Sequence, residues 1–176
     1  MIHFNKNLKI RDKEISSDSP TFLIAEAGVN HGGDIEVAKK LIDLAVEAKV
    51  DAVKFQTFKT ENLILTDIQK APYQKETTGS LESQSDMLKK LEVTKEQNME
   101  LNNYCDDNNI IFLTTPFDEE SLDETDQLDL PAYKVSSTDT TNLPFLKKIA
   151  KKGKPIILST GMSYLSEIKL ALKTIH

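Results

Sequence analysis

The chain has 176 residues, 39% of them hydrophobic and 28% charged, with a formal net charge of −6. That length and composition suit one soluble domain with a real core. The acidic balance argues against broad nucleic-acid or anionic-membrane binding, and no apolar run is long enough to span a bilayer. The single cysteine, Cys105, excludes an intrachain disulfide and suits a reducing cytoplasm.

Residues 1–21 are polar with short apolar alternations at Leu8/Ile10 and Ile15. They read as a hairpin turning near Asp12 and Lys13, an extension ahead of the main domain. A strand–helix rhythm then begins and occupies residues 22–176. Phe22 to Ala27 reads as a buried strand. Asp34 to Lys49 reads as a helix, with Ile35, Ala38, Leu41, Ile42, Ala45 and Ala48 on one face and Asp34 as its cap. Asp51 to Thr57 is a second strand. Residues 58–93 interrupt the rhythm with a long polar connection, inside which Ser85 to Leu91 suggests a short helix.

The rhythm resumes at Thr94, where Thr94 and Gln97 form a capping-box signature. Ile110 to Thr115 is the third strand, and Asp118 caps a short helix reaching Leu128. Pro131 to Ser137 is the fourth strand. Leu143 to Lys152 is a helix stopped by Gly153 and Pro155. Pro155 to Ser159 is the fifth strand, and Ser163 to Ile175 the last helix. Five consecutive strand–helix units imply a parallel sheet with covering helices, either doubly wound or part of an eight-stranded (β/α) TIM-type barrel. No G-x-G-x-x-G occurs, so the dinucleotide-binding version is weakly supported.

Each strand starts apolar and turns polar at its C-terminal end, where such folds place chemistry. Two of the polar residues there are lysines, Lys54 and Lys134. A strand-interior lysine rarely tolerates burial without a partner. Period-two alternation puts Ala52, Lys54 and Gln56 on one face and Val53 and Phe55 on the other. The first face then points into a barrel, together with Lys134, Ser136 and Glu26. Three readings stay open for the lysines: a structural ion pair such as Glu26–Lys54, a Schiff-base lysine of depressed pKa, or a bound anion that keeps both charged. The hydroxyls of Thr115, Ser137 and Ser159 favour the anion, because a phosphate or carboxylate takes directed donors as well as charge.

The remaining signals are weaker. Gly32-Gly33 permits close backbone approach to a ligand or forms a plain turn before Asp34. The cluster Lys147, Lys148, Lys151, Lys152 and Lys154 reads as a solvated helix end rather than a phosphate site. His3, His31 and His176 have no ligand-like spacing, so no metal site is assembled from this sequence. Cys105 reads as a small core residue.

Five stretches, in order, carry a resemblance. They are Ile24-Ala-Glu-Ala-Gly-Val-Asn-His-Gly-Gly33, Asp51-Ala-Val-Lys-Phe-Gln-Thr57, Thr114-Thr-Pro-Phe117, Pro131-Ala-Tyr-Lys-Val-Ser-Ser137 and Lys154-Pro-Ile-Ile-Leu-Ser-Thr-Gly-Met162. Together they resemble the N-terminal part of the sialic acid (N-acetylneuraminate) synthases, whose fold is a βα barrel followed by a small antifreeze-like domain. The resemblance implies condensation of phosphoenolpyruvate with an N-acetylated amino sugar, giving a nine-carbon 2-keto acid and phosphate. It implies that Lys54, Thr115, Lys134, Ser137 and Ser159 hold phosphoenolpyruvate, and that Glu26, Gln56 and Asp139 face the sugar. Glu26, Lys54 and Lys134 are the implied catalytic residues. It also implies a divalent metal, Mn or Mg, and a homodimer for the complete enzyme.

Departures from the family bear on these expectations. The chain reads Ser136-Ser-Thr-Asp139 where the family usually has Gly-Ser-Gly followed by an acid, which stiffens that loop and bears on sugar choice. Lys49-Val50 stands where the family often has Gly-Ala; a left-handed lysine there costs about 1 kcal/mol. The chain stops at His176 after five of eight units, before the family's metal-binding histidines and antifreeze-like domain. The expectation is an incomplete barrel, a truncated product or one half of a split enzyme, inactive alone. The 58–93 connection is expected to cover the site and to help select the sugar.

Overall fold

The computed structural model describes residues 4–65 and 83–176. Strands β1 (Leu8–Ile10) and β2 (Lys13–Ile15) form an antiparallel hairpin through a turn in which Arg11 is left-handed. Then come β3 (Ile24–Gly28), α1 (Ile35–Glu47), β4 (Ala52–Thr57), α2 (Thr60–Leu63), α3 (Gln84–Lys89), α4 (Lys95–Asp107), β5 (Ile111–Pro116) and α5 (Glu119–Thr125). A 3-10 turn at Asp126–Leu128 leads to β6 (Tyr133–Val135). A second at Ser137–Asp139 leads to α6 (Leu143–Ala150), β7 (Ile156–Leu158) and α7 (Leu165–Ile175). Residues 66–82 of the long connection lie outside the described residues, and so does His3.

Strands β3, β4 and β5 form one parallel sheet, and β6 and β7 another. β6 lies beside β5 without ladder pairing. The strands run parallel with helices on the outside, so the architecture is an incomplete (β/α) TIM-type barrel. Two apolar layers follow from strand parity. Val53, Phe55, Phe112, Tyr133 and Val135 face outward and pack under α1, α4 and α6 with Ile42, Leu101, Leu146 and Ile149. Ala52, Ile111, Leu113 and Ala132 face inward and form a smaller cluster. Ile10 of the hairpin joins that inner cluster and is buried, so the N-terminal hairpin covers the bottom of the barrel.

Local signals set the helix starts. Asp34 accepts from the Glu36 and Val37 N–H groups at the head of α1. Thr94 and Gln97 form the reciprocal capping box of α4, and Asp118 caps α5 through the Ser121 N–H. In the lysine cluster Lys147 and Lys151 are exposed, while the other three carry carboxylate partners. Lys148 pairs with Glu119 (3.1 Å) and Asp123 (2.9 Å), Lys152 pairs with Asp126, and Lys154 pairs with Asp129 (2.6 Å). The partners lie on the acidic α5 and on the turn that follows it, a segment remote from the lysines in sequence. Two further expectations are settled by packing. Cys105 is fully buried, with its thiol pushed up to about 12 by desolvation, as suits a core residue. Gly33 is left-handed and lies where a Cβ would strike the Lys90 carbonyl, at 2.1 Å. The close approach at Gly33 is thus to the protein's own chain, while Gly32 has open space beside it. No helix among the described residues is long and apolar enough to cross a membrane.

Candidate active site

Ladder register brings the predicted residues together from the strands upward. Glu26 on β3 is the direct partner of Lys54 on β4, and Gln56 on β4 is the partner of Thr115 on β5. Lys54 is only 7% exposed and makes an ion pair with the Glu26 carboxylate. A buried ammonium requires such a partner. Glu26 itself stays about half exposed, so its carboxylate remains open to the barrel mouth.

A bulge shapes this corner. The β3–β4 register slips between Glu26 and Gly28, and Gly28 is left-handed. A Cβ on Gly28 would lie 3.3 Å from Glu26 Oε1 and 3.6 Å from Gln56 Nε2. The glycine therefore leaves room for those two polar ends to converge. Sequence reading passed over Gly28; an Ala-Gly step at the end of a strand is the signal that marks it.

Lys134 enters from β6, opposite Ile157 of β7, on the inward parity shared with Ala132. It is half-buried, and its ammonium donates to the Val135 carbonyl (2.8 Å). Burial holds its pKa below the usual lysine range, the Lys54 charge lowers it further, and Glu26 opposes both. Two lysines and one carboxylate from three strands thus share one electrostatic site. Among the described residues, Lys134 has no carboxylate within ion-pair distance.

The hydroxyls divide by parity. Thr115 is buried beside Leu113 on the inner side. Thr114 faces outward, where its hydroxyl bonds that of Thr57 (2.8 Å), so it belongs to the sheet–helix layer and not to the site. Ser137 opens the 3-10 turn after β6, and its Oγ lies 3.5 Å from where a Gly161 Cβ would sit. The loops after β6 and β7 therefore touch. Ser159 directly follows β7: its N–H donates to the Val135 carbonyl (3.1 Å), and its own carbonyl accepts from the Thr140 hydroxyl (2.8 Å). Asp139 is buried, with Asn142 Nδ2 donating to Oδ1 (3.3 Å) and the Thr138 hydroxyl to Oδ2 (3.4 Å). Burial pushes its pKa up, and the two donors work against that.

Two ammonium groups, hydroxyl donors and a carboxylate at the C-terminal ends of parallel strands make a set whose chemistry suits an anion. A divalent metal does not fit these groups. Among the described residues, no three His, Cys, Asp or Glu side chains gather to hold one. His31 is buried against Phe55 with Nδ1 accepting from the Gly33 N–H, so it is no ligand here.

Residues 41–176 match the NeuB family. The chain belongs to that family. It is 52% identical over 155 residues to the N,N'-diacetyllegionaminic acid synthase of Campylobacter jejuni, covering 88% of this chain and 46% of that protein. It is 35% identical to the human N-acetylneuraminate-9-phosphate synthase, over 88% of this chain and 43% of that one. The crystal structure of an N-acetylneuraminic acid synthetase from Leptospira borgpetersenii, in complex with citrate, superposes with a TM-score of 0.82 at 31% identity. That superposition covers 98% of this chain and 56% of the other. The chain thus spans about half the length of the curated relatives it matches.

Proposed function

We propose that this NeuB-family chain forms the phosphoenolpyruvate-binding part of a cytoplasmic synthase that joins phosphoenolpyruvate to an N-acetylated amino sugar. The products are a nine-carbon 2-keto sugar acid and phosphate. The observation that carries the reading is the convergence of Lys54 and Lys134 on one inward face, beside Thr115, Ser137 and Ser159. Phosphate and carboxylate are the groups that such a mixture of fixed charges and hydroxyls takes. The C. jejuni relative's name favours a sugar bearing two N-acetyl groups over N-acetylmannosamine.

The reaction asks little of the lysines beyond electrostatics. C3 of phosphoenolpyruvate attacks the open-chain aldehyde carbon of the sugar. Water adds at C2 as positive charge develops there, and the tetrahedral intermediate expels phosphate. Lys54 and Lys134 balance the anionic charge of phosphoenolpyruvate and of the departing phosphate. Glu26, ion-paired at its base and open at the mouth, orients the sugar or carries a proton at its aldehyde oxygen. Gln56 and Asp139 complete the sugar side. The divalent metal that the resemblance implies would polarise the aldehyde from ligands beyond the described residues. Homodimerisation belongs to the same expectation for the complete enzyme.

The test is phosphate release from phosphoenolpyruvate with each sugar. It is run on the 176-residue chain alone and on the chain mixed with the C-terminal remainder of the C. jejuni relative. Turnover only in the mixture, lost in Lys54→Ala and Lys134→Ala, is the expected result. Normal turnover by the chain alone would overturn the need for a partner, and no phosphoenolpyruvate binding in either form would overturn the assignment. A second reading, a Schiff-base aldolase, is favoured by the lowered pKa of Lys134. Borohydride trapping with a keto acid labels Lys134 or Lys54 only in that case.

A further inference from the structure

Asp139 stands at the end of the 3-10 turn Ser137–Asp139, 8% exposed, with both carboxylate oxygens occupied by side-chain donors. One donor, Thr138, has a single hydroxyl hydrogen, shared between the nearer Ser136 Oγ (2.9 Å) and Asp139 (3.4 Å), so the Asn142 amide is the steadier donor to the carboxylate. The other, Asn142, does two things at once. Its Oδ1 accepts the Phe145 N–H (3.4 Å) and so caps α6, while its Nδ2 reaches back to Asp139. Its backbone N–H also donates to the Asp139 carbonyl (3.0 Å). The amide can lie only one way: reversed, it would set oxygen against the carboxylate and NH₂ against an N–H.

We propose that Asn142 is a positioning residue for the Asp139 carboxylate, coupling the N-terminus of α6 to the sugar side of the site. The sugar assignment rests on the function proposed above; the coupling does not. A buried carboxyl without donors shifts toward its neutral form and turns from a pure acceptor into a donor. Asn142 and Thr138 oppose that change and fix the direction in which the oxygens point. Only a side chain with both an acceptor and a donor at amide reach serves the helix and the carboxylate together. Serine and aspartate also cap helices well. Serine is too short to reach Asp139, and aspartate presents a second carboxylate instead of a donor. These two substitutions therefore keep the cap and remove the coupling.

The experiment is a ¹³C-carboxyl NMR titration of Asp139 in the 176-residue chain, assigned with Asp139→Asn and paired with thermal midpoints. In Asn142→Ser the Asp139 titration is expected to move up by about half a pH unit or more. In Asn142→Asp it is expected to move further, while the thermal midpoint of Asn142→Ser stays close to wild type. If Asn142→Ser fails to fold, Asn142→Asp alone carries the measurement. An unchanged Asp139 titration in the folded variants overturns the proposal and leaves Asn142 as a helix cap only. Because turnover is not read, failure here is distinct from failure of the synthase assignment, which the phosphate-release assay decides.

Discussion

The two halves of the sheet treat their lysines differently. In β3–β5 every residue of β5 and all of β4 but Gln56 are buried, and Phe55 stacks on Phe112 at 5.7 Å. There the lysine is neutralised internally, Lys54 by Glu26. In β6–β7 the strands have three residues each, all of β7 is only half-buried, and α7 beyond it exposes Leu165 and Leu170. There Lys134 has a backbone carbonyl and a depressed pKa. The β4–β5 core closes over a charge that it balances itself, with β3 buried only at Ala27 and Gly28; the second region presents a cation whose electrostatics improve when an anion arrives.

Core substitutions separate the two halves most strongly. Phe112→Ala is expected to cost about 3–5 kcal/mol, the usual range for a fully buried aromatic, whereas Ile156→Ala in half-buried β7 is expected to cost about 1–2 kcal/mol. Urea unfolding midpoints of the two variants measure this. Equal losses would mean that the sheet is one uniform core and that the contrast between halves is wrong.

The lysines sharpen it. Phosphate or phosphoenolpyruvate is expected to raise the thermal midpoint, and Lys134→Ala to weaken that binding at least about tenfold, or 1.4 kcal/mol. Binding should also fade as pH rises through the Lys134 titration, which lies below the ordinary lysine range, because the neutral amine no longer attracts the anion. Lys134→Arg stays charged and flattens that alkaline decline. A decline that persists unchanged in Lys134→Arg would place the titrating group elsewhere.

What the sequence made legible was periodic. Alternation along Ala52–Gln56 predicts an inward Lys54, and the same parity turns Ala132 and Leu113 into the barrel, as found. Helix starts at Asp34, Thr94 and Asp118 were readable because capping is local. What escaped was whatever depends on two segments meeting. Thr114 and Thr115 are alike in the sequence, and only the outer layer, with Thr57 against Thr114, separates the first from the site. Lys148 of α6, read with its neighbours as solvated, has the α5 acids Glu119 and Asp123 beside it. The Asp139–Asn142 bond is local, yet it was hidden because Asn142 already had a sufficient explanation as a cap.

A smaller effect probes the first half through its buried imidazole. Desolvation lowers the His31 pKa from the ordinary 6.5. The unfolded chain therefore binds the proton more readily, and wild-type stability falls as pH drops below about 6.5. Asn at this position supplies an acceptor for the Gly33 N–H but no titrating ring. His31→Asn is expected to be less stable than wild type at pH 7.5, through lost packing on Phe55, with the gap narrowing at pH 5. Urea midpoints at the two pH values check it. A constant gap would show that His31 does not titrate between them.

The smallest effect concerns the turn that delivers Lys54. Lys49 follows α1 with φ 56°, and Val50 N–H bonds back to the Ala45 carbonyl (3.3 Å). A lysine pays a steric penalty there that glycine avoids, because its Cβ crowds the carbonyl in the left-handed region. Glycine also has more freedom to lose on folding, which offsets part of the gain. Lys49→Gly is therefore expected to stabilise the chain by about 0.5–1 kcal/mol, read as a higher urea midpoint with an unchanged slope. The site should not notice, since α1 and β4 keep their places and the anion binding proposed above rests on Lys54 and Lys134. If anion affinity moved with stability, the β4–β5 core would prove less independent of the site than its buried, internally paired lysine implies.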